Sequence, residues 1–175
     1  MASDSARVAL MSIHPQYAEA IMAGRKKVEF RKRNLADDVK IVVVYATRPV
    51  GAVVGTFTLD GADIDTPADL WRRHGHHGCI ERPAYDAYFH DRSSAVALRV
   101  AGAHRLSAPV PLSAVGATAA PQSFQYLPKD VLLSLQGQGE TETAGPAAQP
   151  LMSLGRLAGT VVRRLATVVR AATAE

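Results

Sequence analysis

The sequence predicts an α+β fold in which a curled, mostly antiparallel β-sheet carries short helices at its openings. Apolar segments rich in β-branched residues alternate along the chain with short segments of helical periodicity. The connections between them are too short for the repeated crossover helices of a doubly wound parallel sheet. With 175 residues, 47% hydrophobic and 21% charged, the chain can form one domain with a substantial core.

The first half of the chain supplies a strand, a helix and three further strands. The helix begins at Pro15, a residue suited to a first helical turn, and Gly24 marks its end. Between these residues the apolar positions recur at helical spacing. The predicted strands are residues 8–13, 27–33, 40–46 and 52–59.

The predicted strand 27–33 carries most of the localised charge. Val28 and Phe30 point to one face, whereas Lys27, Glu29, Arg31 and Arg33 point to the other. Residues 25–33 hold six Lys and Arg against one acid in a chain whose net charge is +4. Such a focused patch is typical of a site for a phosphate-bearing partner. The alternative is an exposed strand on which Glu29 pairs with its basic neighbours and the cations discourage aggregation.

The second half of the chain begins with two short helices and returns to strand. Thr66 is the predicted N-cap of a helix through Trp71, with Pro67 as its first residue. A polar, histidine-rich loop follows. The remaining predicted elements are a helix around residues 84–89, a strand at 94–100 continued at 103–107, a turn-rich stretch at 109–127 and a closing helix at 129–135.

The composition divides the chain into a domain, a linker and a terminal helix. Residues 1–135 form the predicted domain, and residues 136–150 read as a flexible linker rich in Gly, Pro and polar residues. Residues 151–173 form an amphipathic basic helix. Four alternatives remain open for this helix: it packs on the domain, pairs with a protein partner, lies on an anionic membrane surface or binds nucleic acid.

Several classes of site and location are disfavoured. No apolar run approaches the roughly 18–20 residues that span a bilayer. The N-terminus lacks the pattern of a secretory signal, and a lone Cys79 agrees with a reducing compartment, so we expect a cytoplasmic protein. The run from His74 to Cys79 lacks the second Cys/His pair of a zinc site. We therefore predict no metal, and because phosphate-loop and GxSxG motifs are absent, no cofactor.

Aromatic residues supply a second requirement of RNA binding, namely surfaces on which bases stack. The candidates are Tyr17, Tyr45, Phe124 and Tyr126, and the spacing of Phe124 and Tyr126 puts them on one strand face. Ser123 and Gln122 are candidates for reading base edges. Core packing is the alternative for each ring, and it is the prediction for Trp71, Tyr85, Tyr88 and Phe89.

Five segments of the chain resemble the ASCH family of the PUA-like superfamily. Residues 12–33 (SIHPQYAEAIMAGRKKVEFRKR) resemble the opening helix and the charged strand of ASCH-domain proteins. Residues 42–59 are similar to their central strand pair. LWRRHG, AYDAYF and PQSFQYL then follow in the order seen in bacterial members. The resemblance covers residues 8–135.

The resemblance implies a PUA-like β-barrel with a cleft between the first helix and the barrel wall. Relatives bind RNA or modified bases, some are amidohydrolases on N4-acylated cytidine nucleosides, and one branch is ribonucleolytic. The lysine of the amidohydrolases matches Lys26. Their threonine position is Glu29 here, and their later glutamate has only Glu81 nearby.

Together these observations predict a protein that binds RNA or a modified nucleotide. Glu29 faces a base, Phe124 or Tyr126 stacks, and Tyr45 and Ser123 complete the contacts; the phosphates are contacted by Lys26, Lys27, Arg31 and Arg33. The alternative is an enzyme, an amidohydrolase or a weak ribonuclease, in which Lys26 and Glu29 act as a catalytic acid/base couple. A third alternative is an interaction protein that acts through its C-terminal helix.

Overall fold

The computed structural model describes residues 7–136. Its elements in chain order are β1 (Arg7–Ile13), α1 (Pro15–Met22), β2 (Val28–Arg31), β3 (Val39–Ala46), β4 (Ala52–Asp65), α2 (Pro67–His74), α3 (Arg82–Tyr88), β5 (Ala95–Val110), β6 (Phe124–Leu127) and α4 (Val131–Gln136). Short 3-10 turns cover Gly75–His77 and Leu112–Val115. The predicted helix 151–173 and all but the first residue of the predicted linker 136–150 lie outside the described residues.

The strands form one sheet in the order β2-β5-β4-β3-β1-β6. β1 and β3 are parallel, and the other neighbouring pairs are antiparallel, which confirms the mostly antiparallel sheet with short helices. The predicted barrel is not closed within residues 7–136, because β2 and β6 are edges without a ladder between them. Each edge strand has only four residues. The Arg31 side chain instead reaches from β2 to the carbonyl of Ser12 in β1, at 2.8 Å.

Two strands are longer than predicted, and the strand implied by the spacing of Phe124 and Tyr126 is present as β6. β4 continues to Asp65, and β5 runs unbroken through Gly102, whose φ of 47° suits a residue without a side chain. The long antiparallel ladder between β4 and β5 is irregular. Its register shifts at three places along β4, between Val53 and Gly55, Thr56 and Thr58, and Leu59 and Ala62. β6 forms in the turn-rich stretch because its backbone pairs with β1, a contact that local sequence does not signal.

The two faces of the sheet are covered by different helices. On β1, Ala9, Met11 and Ile13 belong to the first core cluster, which includes Ala18 and Ile21 of α1. Val8 and Leu10 of β1 belong to a second cluster on the opposite face, covered by Val131 and Leu135 of α4. A third cluster joins Val28 and Phe30 of β2 to Leu70 of α2 and Tyr85 of α3.

The α2 helix begins as the sequence predicts. Thr66 is its N-cap, and the hydroxyl of Thr66 accepts a hydrogen bond from the Asp69 amide at 3.2 Å. Pro67 occupies the first turn, where a missing amide hydrogen costs nothing. Among the helices of residues 7–136, none combines the length and the apolar character needed to cross a bilayer.

Tyr85 is expected to make the folded state sensitive to alkaline pH. Burial raises the pKa of Tyr85 from 10.0 to about 12, and its hydroxyl donates to the Pro67 carbonyl at 2.9 Å. The unfolded chain ionises this phenol near its ordinary pKa, so the stability that the neutral phenol contributes is complete below pH 10 and is lost as pH rises toward 12. Tyr85→Phe should therefore give a flatter decline in the free energy of unfolding above pH 10 in urea titrations. Equal declines in both proteins would contradict this.

Candidate nucleotide site

The turn after α1 buries Lys26. Gly24 ends the helix with a φ of 69°, and the amides of Arg25 and Lys26 both donate to the Ala20 carbonyl, at 2.9 and 3.0 Å. This ties the turn to the last turn of the helix and aims the lysine side chain inward. Only 2% of Lys26 is exposed, whereas the adjacent Lys27 is exposed.

Lys26, Glu29 and Arg31 form a buried cluster of three charges, here called the charged cluster. Lys26 Nζ lies 3.3 Å from Glu29 Oε2, and Arg31 Nη2 lies 3.1 Å from Glu29 Oε1. Glu29 and Arg31 are 6% and 7% exposed. The alternative correctly pairs Glu29 with its basic neighbours, but the exposed strand that it assumes is wrong. It fails because Glu29 and Arg31 face the same side of the sheet as their β5 partners Leu98 and Val96, which belong to the first core cluster.

The charged cluster holds two cations for one carboxylate. Lys26 Nζ also donates to the Gly78 carbonyl, and Arg31 Nη2 to the Ser12 carbonyl. Arg31 Nε is buried and has no hydrogen-bond partner within the described part of the chain. An uncompensated buried charge and an unsatisfied buried donor are both costly. The arrangement therefore suits a ligand that brings acceptor atoms or negative charge.

Aromatic rings stand against the cations of this site. Lys26 Nζ lies 5.0 Å from the ring centroid of Tyr17 and 5.8 Å from that of Phe30, within the range of cation–π attraction. Lys32 Nζ lies 4.7 Å from the ring centroid of Tyr88. Burial raises the pKa of Tyr88 above 10.0, so its phenol is neutral at physiological pH and can donate a hydrogen bond.

A cavity of about 300 Å³ opens onto the charged cluster. Its volume lies at the lower end of small-molecule sites, about 300–1,000 Å³, and suits a nucleobase or nucleoside. The cluster itself, Tyr17, Tyr88 and His14 line it. A larger cavity of about 700 Å³ lies beside β4, β5 and α4, but its charged residue, Arg105, is committed at the surface to Glu19 at 2.8 Å. We therefore assign the candidate site to the smaller cavity.

The other predicted RNA contacts lie outside the cavity. Arg33 Cζ is 6.0 Å from the ring centroid of Phe124, which is 5.8 Å from that of Tyr126. The Ser123 carbonyl accepts a hydrogen bond from the Ser12 amide at 3.0 Å, so Ser123 adjoins a residue of the cavity wall without lining the cavity itself. Exposed Lys27 does not line the cavity.

Tyr45 is separated from the cavity by the sheet. It is 8% exposed and packs in the second core cluster with Val8 and Val43. The structure does not bring its ring together with Lys26 or Glu29, so a contact between Tyr45 and RNA stays a prediction. Tyr45 pairs in the parallel ladder with Ser12 of β1, which lines the cavity. The Tyr45 side chain nevertheless packs in the second core cluster, on the other face of the sheet.

The structure also adds residues that the sequence analysis did not select. Tyr88 was predicted to be core, but it is 36% exposed and lines the cavity, whereas Tyr85 and Phe89 are core as predicted. Tyr88 lies three residues after Tyr85, a spacing that puts both on one helix face, so periodicity gave no signal of its exposure. His14, at the start of α1, gave no sequence signal.

Two residues of the histidine-rich run make contacts that stabilise the fold. His74 Nε2 lies 2.8 Å from Asp63 Oδ2, and Lys27 donates its amide to the His77 carbonyl at 3.0 Å. Cys79 is exposed. Within residues 7–136 no three His, Cys, Asp or Glu side chains are grouped as metal ligands would be.

Comparison with known proteins places this chain in a family. The ASCH domain model matches residues 11–102. The chain is 33% identical over 143 residues to the ASCH domain-containing ribonuclease of Zymomonas mobilis, covering 75% of this chain and 94% of that protein. The crystal structure of ASCH from Zymomonas mobilis superposes with a TM-score of 0.70 at 28% identity, covering 76% of this chain and 96% of that one.

A second similarity covers only part of its relative. The chain is 33% identical over 119 residues to the large ribosomal subunit protein uL22 of Ureaplasma parvum, and the match covers 67% of this chain. It spans 38% of the uL22 protein. The ASCH domain model matches more than half of the chain, the Zymomonas protein is 33% identical with 75% of this chain covered, and the chain belongs to the ASCH domain family.

Proposed function

We propose that this ASCH-domain chain binds RNA and holds one of its nucleobases in the cavity beside the charged cluster. The observation that carries the proposal is the composition of that cluster, two buried cations for one carboxylate. A buried net positive charge destabilises a free protein. It becomes favourable when a ligand with carbonyl, ring-nitrogen or phosphate acceptors enters the cavity.

The hydrogen-bonding groups of the cavity suit the edge of a base. Arg31 Nε is an unsatisfied donor, and the Tyr88 phenol, which already interacts with the Arg31 side chain and the Lys32 backbone, keeps its proton to donate. Glu29 accepts only, so its free lone pairs favour a base edge that also carries an amino group. Tyr17 and Tyr88 offer aromatic surface beside these groups, and single-stranded RNA is commonly recognised by such a combination.

Cations around the cavity mouth suit the phosphates that accompany the base. Lys27, Lys32 and Arg33 are exposed on the segment that contains the charged cluster. Together with exposed Arg25, they are the exposed part of the cationic patch that the sequence predicts. Phosphate contacts of this kind supply affinity without selecting a sequence, and they make binding depend on salt.

Cleavage of RNA is a second candidate function, and one observation favours it. The relative named ASCH domain-containing ribonuclease matches this chain along 94% of its own length. Cleavage requires a group that accepts a proton from the attacking hydroxyl and a group that protonates the leaving oxygen. His14 lines the cavity, and an imidazole side chain can serve in either role. The catalytic couple predicted from the sequence, Lys26 and Glu29, is already ion-paired. Amidohydrolysis stays a prediction, since Glu29 replaces the threonine of that branch.

Lys26→Met is expected to weaken RNA binding by about tenfold, since it removes a buried cation beside the ligand. Lys27→Met is the matched control. It removes the same charge from the next residue, which is exposed, and should weaken binding about threefold or less through one lost phosphate contact. Fluorescence anisotropy with a labelled single-stranded RNA at several salt concentrations measures both.

Mass spectrometry of the RNA after incubation separates the two candidate functions. Intact RNA bound by the wild type supports binding alone, and fragments that Lys26→Met no longer produces support cleavage. Wild-type affinity in a Lys26→Met protein with a native circular dichroism spectrum would contradict the proposed site.

A further inference from the structure

We propose that Phe124 and Tyr126 form a second nucleotide subsite beside the cavity, so that the ligand is single-stranded RNA of at least two nucleotides. The inference rests on the proposed function of the cavity and extends it from one base to a short strand. It makes Tyr126 and Arg33 binding residues for the neighbouring nucleotide. A second subsite also distinguishes a short RNA strand from a free nucleoside, because the nucleoside would occupy only the cavity.

Two rings and two guanidinium groups form a continuous row on the surface. Arg33 Cζ lies 6.0 Å from the Phe124 ring centroid, and Arg7 Cζ lies 5.2 Å from that of Tyr126. The two ring centroids are 5.8 Å apart. The alternation of β6 puts both rings on one face. Because aromatic faces and cations together bind the bases and phosphates of single strands, this row has the components of a nucleotide subsite.

The rings are held in place before any ligand binds. Tyr126 is 41% exposed, yet its hydroxyl accepts a hydrogen bond from the Ala36 amide at 2.9 Å. Phe124 packs partly against the first core cluster. A rigid aromatic surface loses little conformational entropy when a base stacks on it, and this favours binding.

The row begins next to the cavity. Ser12, a wall residue of the cavity, donates its amide to the Ser123 carbonyl at 3.0 Å and its hydroxyl to the Pro121 carbonyl at 2.6 Å. Phe124 follows Ser123 directly. On the other side, Arg31 of the charged cluster and Arg33 are two residues apart on one chain segment. A strand with one base in the cavity therefore meets the two rings with its next nucleotide.

Charge identifies the partner as nucleic acid rather than an apolar protein surface. Arg33 is exposed, and among residues 7–136 no carboxylate forms an ion pair with it. Arg7 pairs with Asp38 at 3.0 Å, so it is only partly available. The unpaired Arg33 suits a phosphate. Bases already stacked inside a duplex cannot stack on Phe124 or Tyr126, so the subsite selects single strands.

Binding of nucleotides of different length to the full chain tests the subsite. The probes are the four ribonucleoside 5′-monophosphates and the four matching 2′-O-methyl homotetranucleotides, whose modified sugars resist cleavage through the 2′-hydroxyl. Calorimetry is carried out on wild type, Tyr126→Leu, Tyr126→Phe and Lys26→Met. Arg92→Gln is the charge control for Arg33→Gln, because both arginines are exposed.

The expected pattern separates the two subsites. Tyr126→Leu should weaken tetranucleotide binding roughly tenfold, since stacking on a ring is lost, and leave mononucleotide binding unchanged. Tyr126→Phe keeps the ring and should retain the affinity for the tetranucleotide. Arg33→Gln should weaken the tetranucleotide more than Arg92→Gln does, whereas Lys26→Met should weaken both ligand lengths.

The failure of the subsite and the failure of the cavity give different results. Tetranucleotide affinity that is equal in wild type and Tyr126→Leu, while Lys26→Met still weakens it, would overturn the second subsite and leave the cavity as the RNA site. Binding that responds to neither variant, or an absence of binding by the wild type, would overturn both proposals. Equal loss in Tyr126→Leu for both ligand lengths would show that the ring shapes the cavity rather than a second subsite.

Discussion

Glu29→Gln is expected to lower the free energy of unfolding by about 3–5 kcal/mol, because it leaves Lys26 and Arg31 buried without their carboxylate. The substitution keeps the size of the side chain, so packing is nearly unchanged and the loss reports the charge. The neutral glutamine side chain has one carbonyl oxygen to accept hydrogen bonds, and it forms neither of the two ion pairs that Glu29 makes. Urea unfolding followed by circular dichroism measures the effect.

A surface ion pair provides the matched control for this prediction. Glu19 pairs with Arg105 at 2.8 Å, and both side chains are about half exposed. Because exposed pairs contribute only about 0–1 kcal/mol, Glu19→Gln should shift the unfolding midpoint slightly. Equal, small losses for Glu29→Gln and Glu19→Gln would contradict the burial of the charged cluster.

Replacing the whole charged cluster by apolar residues separates stability from binding. The triple variant Lys26→Met, Glu29→Leu, Arg31→Met removes every buried charge of the cluster, and such replacements are often neutral or stabilising. We therefore expect a folded protein of near wild-type stability that no longer binds RNA at the cavity. A folded triple variant with wild-type affinity would show that the cluster is not part of the binding site.

The sequence predicts the residues of the charged cluster but not their burial. Alternation along β2 correctly separates Val28 and Phe30 from Glu29 and Arg31. It leaves open what covers each face. Helices α2 and α3 cover Val28 and Phe30, while the core under α1 encloses the charged side. These contacts join segments far apart in the chain, so the local pattern of β2 also fits an exposed edge.

The remaining differences between prediction and structure have the same origin. The predicted barrel is open because closure depends on a ladder between the two short edge strands, β2 and β6. Strand β6 depends on its pairing with β1, more than 100 residues earlier in the chain. By contrast, the Thr66 cap and the Pro15 helix start depend on adjacent residues, and both were predicted correctly.

Gly78 is the part of the site that no sequence pattern reveals. Its carbonyl accepts the hydrogen bond from Lys26 Nζ across 52 positions of the chain. A Cβ atom at this position would lie 2.4 Å from Cε2 of Phe30. That ring is packed edge-on against Tyr85, with centroids 4.8 Å apart, and cannot simply move aside. The loop therefore approaches β2 closely enough to reach Lys26 only because residue 78 has no side chain.

Gly78→Ala is accordingly expected to destabilise the fold by about 2–3 kcal/mol through overpacking and to weaken RNA binding, because the loop carbonyl is displaced from Lys26. Phe30→Leu removes the ring that the new methyl group meets. In the background of Phe30→Leu, adding Gly78→Ala should therefore cost about 1 kcal/mol or less, a coupling that a double-mutant cycle in urea measures. If the losses in unfolding free energy from Gly78→Ala and Phe30→Leu are additive, the strain lies elsewhere in the loop. If coupling is found and the double variant also regains RNA affinity relative to Gly78→Ala, the position of the Gly78 carbonyl controls the Lys26 ammonium in the binding site.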